Sequence, residues 1–299
     1  MRNLNVTAIG EILYDVYPDT KHLGGAPFNF IYHVWKISGN AGFISSVGND
    51  DNGKEMLESL DSRGFPTAHI YIDREHPTGT VSVKLREDKI PEFLISPECS
   101  YDYLKLNDQS KTLIEEQTGL LYFGTLSARN ETSRDTILSL LGNPNLKYFC
   151  DLNLRHDFYS TELIEMILQS CNLIKINKEE LNKLKQFFQL DQSDTAAVQQ
   201  LIDIYNIDMV GLTKGANGAE LFTKNGSDKF KIELKKTVDT LGAGDAYSAI
   251  MCLGYLYNWE VGRINKTAVE FASEICAIDG AVPENDSFYR KYIKGFGIE

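Results

Sequence analysis

The chain has 299 residues, 30 basic against 42 acidic side chains and a formal net charge of −12. That balance excludes a protein that grips nucleic acid or an anionic membrane through a basic face, although a local cluster of backbone N–H groups can still hold an anion. With 42% hydrophobic and 24% charged residues, the composition is that of a globular chain long enough to bury a large α/β core.

The longest apolar run, residues 249–257, is about half of what a bilayer needs. Residues 1–6 lack the apolar core of a signal peptide. Cys99, Cys150, Cys171, Cys252 and Cys276 are odd in number and widely spaced. A reduced, cytoplasmic setting follows as the expectation, with each thiol acting as a small core residue. The histidines show no metal-ligand spacing, which argues against zinc.

Along the chain, residues 4–9 read as a strand and 27–37 as a helix with Pro27 in its first turn. A strand at 42–47 and a helix at 54–63, closed by Gly64, come next. Strands at 120–123, 147–151 and 173–176 are each followed by helical stretches, at 131–141, 161–169 and 178–188; 209–213 is a further strand. Such alternation predicts a mostly parallel sheet covered by helices on both faces, a three-layer α/β/α sandwich. Residues 12–23 and 78–95 read as strands without intervening helices. In the second, Val81, Val83 and Leu85 alternate with polar residues. These stretches predict a small antiparallel flap within about 12–24 and 78–96, attached to one unit spanning 1–299. Lys224-Asn225-Gly226-Ser227 reads as a hairpin turn, with Asn-Gly suited to positive φ.

Gly48-Asn49-Asp50-Asp51-Asn52-Gly53-Lys54 has the spacing of a phosphate loop. Glu55 stands where that loop needs a Mg²⁺-binding Ser or Thr, and Asp50 and Asp51 would repel polyphosphate. A strand-to-helix turn capped by Asp is the better reading.

Val238-Asp239-Thr240-Leu241-Gly242-Ala243-Gly244-Asp245 opens a helix, residues 246–257, that is apolar nearly all round and therefore buried. Glycines at such a start cost backbone entropy; they make sense if a ligand approaches the free N–H groups there. Asp245 beside an anion site suits a base that accepts a hydroxyl proton while the Gly242, Ala243 and Gly244 N–H groups hold a transferring phosphoryl group.

D-T-x-G-A-G-D resembles the signature of the ribokinase-like sugar kinases, the phosphofructokinase-B family. Gly24-Gly25-Ala26-Pro27-Phe28-Asn29 resembles its G-G-x-x-x-N motif, and Gly10-Glu11-Ile12-Leu13-Tyr14-Asp15 its G-E-x-x-x-D segment. Val47-Gly48-Asn49-Asp50, Asp151-Leu152-Asn153-Leu154-Arg155, Asn177-Lys178-Glu179-Glu180 and Thr213-Lys214-Gly215-Ala216-Asn217-Gly218 fall in the family's order. Residues 76–81, 123–129 and 276–283 look like segments of bacterial fructokinases, while Ser100-Tyr101-Asp102 departs from their usual Ala-Trp-Asp.

The resemblance implies an ATP-dependent kinase that phosphorylates a primary hydroxyl of D-fructose or a similar ketose. Its alternatives are 2-keto-3-deoxygluconate, ribose or a nucleoside, or a silent sugar-binding protein on the same fold. Asp15, Gly25, Asn29 and Arg155 would contact sugar, with Arg129 a weaker candidate. Asn177, Thr213, Gly215, Gly218, Gly244 and Ala277 would border the nucleotide. Glu180, with Asn177, would organise Mg²⁺ through water. Asp239 and the Leu241 carbonyl, with backbone around residues 277–280, would hold a monovalent cation such as K⁺. The flap strands would close over the sugar and pair with a second subunit in a homodimer.

Overall fold

The computed structural model describes residues 5–85, 91–233 and 237–298, so residue 4 of the first expected strand and residues 86–90 of the flap lie outside it. Strand β1 (Val6–Ile9) is wholly buried, as a strand covered on both faces requires. It leads into β2 (Leu13–Val16), β3 (Lys21–Gly24) and α1 (Ala26–Ser38), with Pro27 in the first turn. Then come β4 (Ala41–Gly48), α2 (Asp51–Ser62), β5 (Ile70–Asp73), β6 (Gly79–Leu85), β7 (Pro91–Ile95) and a short α3 (Asp108–Thr112). The regular alternation is β8 (Leu120–Gly124), α4 (Glu131–Ser139), β9 (Lys147–Asp151), α5 (Thr161–Ser170), β10 (Leu173–Asn177), α6 (Lys178–Phe187), α7 (Asp194–Tyr205) and β11 (Met209–Thr213). The hairpin β12 (Ala219–Thr223) and β13 (Gly226–Phe230) precedes α8 (Ala243–Leu256), α9 (Val261–Ile275) and α10 (Arg290–Phe296).

The main sheet has nine strands in the order β13-β12-β11-β10-β9-β8-β1-β4-β5. All neighbours are parallel except β11–β12 and β12–β13. Successive strand residues serve opposite cores. Ala8 and Tyr122 pack with the α1, α8 and α9 side chains, whereas Ile9 and Leu121 pack with those of α5, α6 and α7. The architecture is thus the three-layer sandwich that the alternation predicts. Winding runs from β1 to β4 and β5 in one direction and from β8 to β11 in the other. The crevice beyond the carboxyl ends of β1 and β8 is the switch point where such sheets take ligands.

The flap sheet has the order β3-β2-β6-β7. Its outer pairs are antiparallel, as expected of the flap, while the central pair β2–β6 is parallel, starting at Leu13↔Gly79. The reason is topological: β2 follows β1 and β6 follows β5, so both leave the carboxyl edge of one parallel sheet. Val81 joins Leu13, Cys99 and Tyr101 in a small core under the flap; the side chains of Val83 and Leu85 lie outside the described residues.

The rejected phosphate loop is a clasp for this flap. Asp50 Oδ1 accepts from Gly53 N at 2.8 Å, capping α2, and from Thr78 Oγ1 at 2.6 Å. Asp50 Oδ2 accepts from Thr78 N at 2.8 Å, and Thr78 Oγ1 accepts from Gly48 N at 2.9 Å. A Cβ at residue 48 would stand 2.4 Å from Thr78 N, and one at residue 53 would stand 2.1 Å from the Gly48 carbonyl oxygen. The spacing of the two glycines therefore serves close backbone contact at the foot of β6. The late hairpin also differs in detail: Thr223 pairs with Gly226, and the positive φ (127°) falls on Gly226, not on Asn225. All five cysteines are buried free thiols. Among the described residues no helix is long and apolar enough to cross a membrane.

Candidate active site

Helix α8 begins one turn earlier than its apolar run predicts, at Ala243, with Gly242 as its cap in the left-handed region (φ 74°). A Cβ on Gly242 would stand 2.4 Å from that of Ala281, so both backbone angle and packing demand glycine here. Among the described residues the N–H groups of Gly242 and Gly244 have no partner, whereas Ala243 N–H turns back to the Thr240 carbonyl at 3.4 Å. Two free donors at a helix start, aligned with its dipole, are an anion site. Of the three expected donors, Ala243 is the one the chain already occupies.

Asp245 lies in the same turn, partly buried. Its Oδ2 accepts from Asn29 Nδ2 of α1 at 2.8 Å. Burial and then the Asp151 carboxylate push its pKa up to about 6, against the pull of Asn29, Lys175 and Arg155. It is ionised near neutral pH yet basic enough to accept a proton.

The expected sugar residues meet at the switch point. Asp15 of β2 is 5% exposed. Burial and the facing Asp245 and Asp239 carboxylates raise its pKa to about 7, with Arg155 opposing. A Cβ on Gly24 would stand 2.1 Å from Asp15 Oδ2. Gly25 (φ 109°) is packed against chain: a Cβ there would stand 2.5 Å from the Glu11 carbonyl oxygen. Asn29 is committed to Asp245 through its amide nitrogen, while its buried Oδ1 has no partner among the described residues. Arg155 stands exposed past the end of β9.

Of the residues expected to border nucleotide, Thr213, Gly215, Gly218 and Gly244 line, with Ala243, one cavity of about 410 Å³, walled by Tyr247 and Val269 and by other apolar groups. It runs from the turn after β11 to the first turn of α8. Gly218 (φ 79°) lies against the Phe230 carbonyl, and Gly215 (φ 56°) faces open space. Asn177 and Ala277 are not among the lining residues. Asn177 caps α6: its Oδ1 accepts from Glu180 N at 2.9 Å, and Glu180 Oε2 accepts from Asn177 N at 2.7 Å. Glu180 Oε1 accepts from Leu154 N at 3.0 Å. Glu180 itself is 3% exposed. Ala277 N–H is bonded to the Glu274 carbonyl at 3.1 Å. Asp239 Oδ1 accepts from Leu241 N at 3.0 Å.

Arg129 is not free to meet a ligand. Its Nε and Nη2 donate to Asp102 at 2.7 Å each, and Nη2 also donates to the Ser96 carbonyl at 2.6 Å. It holds the foot of the flap to the end of β8. Three groups at the site carry no expected role from sequence. Glu11, 1% exposed, accepts from the Ser127 hydroxyl, and Ser127 Oγ accepts from Glu11 N at 2.9 Å across the switch point. Burial raises the Glu11 pKa to about 7. Lys175 and Asp151 form a buried pair at 3.1 Å beside α8. The available signal was a charged residue inside or ending an otherwise apolar strand, Leu-Ile-Lys-Ile-Asn and Tyr-Phe-Cys-Asp.

The family of pfkB carbohydrate kinases matches residues 4–286. The chain belongs to that family. An uncharacterized sugar kinase of Pyrococcus horikoshii is 26% identical over 272 residues, covering 84% of this chain and 82% of that protein. Its crystal structure superposes with a TM-score of 0.82, covering 97% and 98% of the two chains at 24% identity. A fructokinase of Vibrio alginolyticus is 26% identical over 285 residues, covering 90% of each chain. The Vibrio cholerae fructokinase, solved with fructose, ADP and calcium, has a TM-score of 0.77 at 24% identity, covering 96% of this chain and 99% of that one. This pfkB kinase is therefore a phosphotransferase that uses ATP to phosphorylate a carbohydrate.

Proposed function

We propose that this pfkB kinase transfers the γ-phosphoryl group of ATP to a primary hydroxyl of D-fructose or a closely similar ketose. The observation that carries the reading is the continuity of the site. The cavity bordered by Thr213 and Gly218 reaches Ala243 and Gly244, the free N–H group of Gly244 opens α8, and Asp245 follows in the same turn. Nucleotide in that cavity presents its terminal phosphate to the amides, and sugar at the switch point presents a hydroxyl to Asp245.

Asp15, Gly25, Asn29 and Arg155 orient the sugar. Asp245 takes the hydroxyl proton as the new O–P bond forms and the bond to the β-phosphate oxygen breaks, releasing ADP. Asn29 keeps the carboxylate turned towards the hydroxyl. The N–H donors take the negative charge that builds on the transferring group. The flap shuts out water, which limits ATP hydrolysis.

Glu180 suits a hydrated Mg²⁺, because two backbone N–H groups fix its carboxylate and each oxygen keeps a lone pair for a metal-bound water. Asp239, held by Leu241 N–H, and the Leu241 carbonyl are hard oxygen donors suited to K⁺, with Ala277 in the adjoining backbone. Bound there, these cations would neutralise phosphate charge. Among the described residues the outer edges of β3 and β7 have no neighbouring strand, and Leu94 on β7 is 42% exposed; pairing these edges in a homodimer covers both.

The test is an ADP-release assay across fructose, 2-keto-3-deoxygluconate, ribose and nucleosides, with and without K⁺. Highest kcat/KM on fructose supports the reading. A preference for another acceptor replaces the substrate, and tight sugar binding without turnover overturns the kinase assignment.

A further inference from the structure

Lys175 lies at the centre of β10 with only 6% of its surface exposed. An ammonium in that position is costly unless it is paired. Its Nζ lies 3.1 Å from Asp151 Oδ1 on the neighbouring strand, and Asp151 Oδ2 accepts from Ser248 Oγ of α8 at 3.2 Å. A Cβ on Gly244 would stand 2.9 Å from Lys175 Nζ, so the ammonium lies against the backbone of the helix's first turn. Gly242 is required by its own backbone angle, but Gly244 leaves room for this cation. Asp151, Glu180 and Asp245 all act on Lys175 to keep it charged.

We propose, resting on the reading of Asp245 as the base, that the Lys175–Asp151 pair is a positioning element of the transfer: it braces the opening of α8 from below and fixes a positive charge beneath both the free N–H groups and the Asp245 carboxylate. A purely structural role does not call for charge, since a buried ion pair is matched or bettered in stability by packed apolar side chains. Charge here has a use, because an anion is to be held directly above it.

The groups facing Asp245 are Asn29 of α1, Asp151 of β9, Lys175 of β10 and Arg155 beyond β9. Glu11 after β1, Asp15 of β2 and Tyr122 of β8 feel its charge in turn. Among these, Asp151 and Lys175 pull the carboxylate in opposite senses. Neutralising them one at a time therefore has opposite effects.

The experiment follows the ¹³C carboxyl signal of Asp245, identified by its loss in Asp245→Asn, through a pH titration of the sugar-free protein, alongside the pH profile of kcat/KM. Lys175→Met moves the Asp245 midpoint up by about one pH unit or more, and Asp151→Asn moves it down. The acid limb of kcat/KM follows in both. Midpoints that stay put, or move the same way, overturn the role of the pair while leaving Asp245 as the base. A titration that shifts while the kinetic limb does not overturns Asp245 as the base, and the pair's part in the reaction with it. Should Lys175→Met fail to fold, the sign of the shift in Asp151→Asn decides alone.

Discussion

Asn29 Nδ2 donates to Asp245 Oδ2 at 2.8 Å, joining two residues 216 positions apart in sequence. The bond stabilises the ionised carboxylate and so lowers its pKa. Asn29→Ala removes it. The acid limb of kcat/KM, set near the Asp245 value of about 6, moves up in this variant. The loss of activity is accordingly larger at low pH than well above the limb, and a pH–rate profile reads it directly.

Asp245→Asn keeps the shape of the side chain and loses its basicity. The expected fall in kcat is about 10²–10⁴-fold, the range for removing a general base. Calorimetric ATP affinity stays close to that of the parent, because Asp245 does not line the cavity proposed for nucleotide.

Glu11 carries a pH-dependent stability. Its folded pKa of about 7 lies above the ordinary 4.5. Between those values the folded state holds a proton that the unfolded state has released. Stability from this group is full below pH 4.5 and is lost as pH rises through about 7. Glu11→Gln, which cannot ionise, escapes the loss. The difference in Tm between Glu11→Gln and the parent therefore grows in favour of the variant across that window, as a thermal melt series shows.

The clasp at Asp50 gives the flap its footing. Asp50→Asn removes one of the two carboxylate oxygens that receive Thr78 N–H and Gly53 N–H with Thr78 O–H. Hydrogen bonds to a charged group contribute about 1.5–3 kcal/mol each. Amide hydrogen exchange over Gly79–Leu85 becomes faster, and KM for sugar rises more than KM for ATP. Unchanged exchange there would contradict a clasp.

The alternating elements and the capped turns were legible because their causes are local. Pro27 starts α1, Asp50 caps α2, and the apolar run after Gly244 demands burial. The ordered string of motifs likewise marked the kinase family, since each motif is a short strand end or turn. Periodicity alone did not reveal that β2 and β6 run parallel, because that direction depends on which edge of the sheet both strands leave.

The amino-acid sequence by itself determined which residue types stand at the strand ends and helix starts: the glycine corner, Asp245, Asn29 and the turn after β11. Only the tertiary structure decided what each one touches. Asn29 is bonded to Asp245, Glu180 is held in a buried cap, Arg129 anchors the flap, and Lys175 is paired with Asp151 under Gly244. Capping and periodicity act over a few residues, whereas the pairing of buried charges depends on which strands the topology makes neighbours.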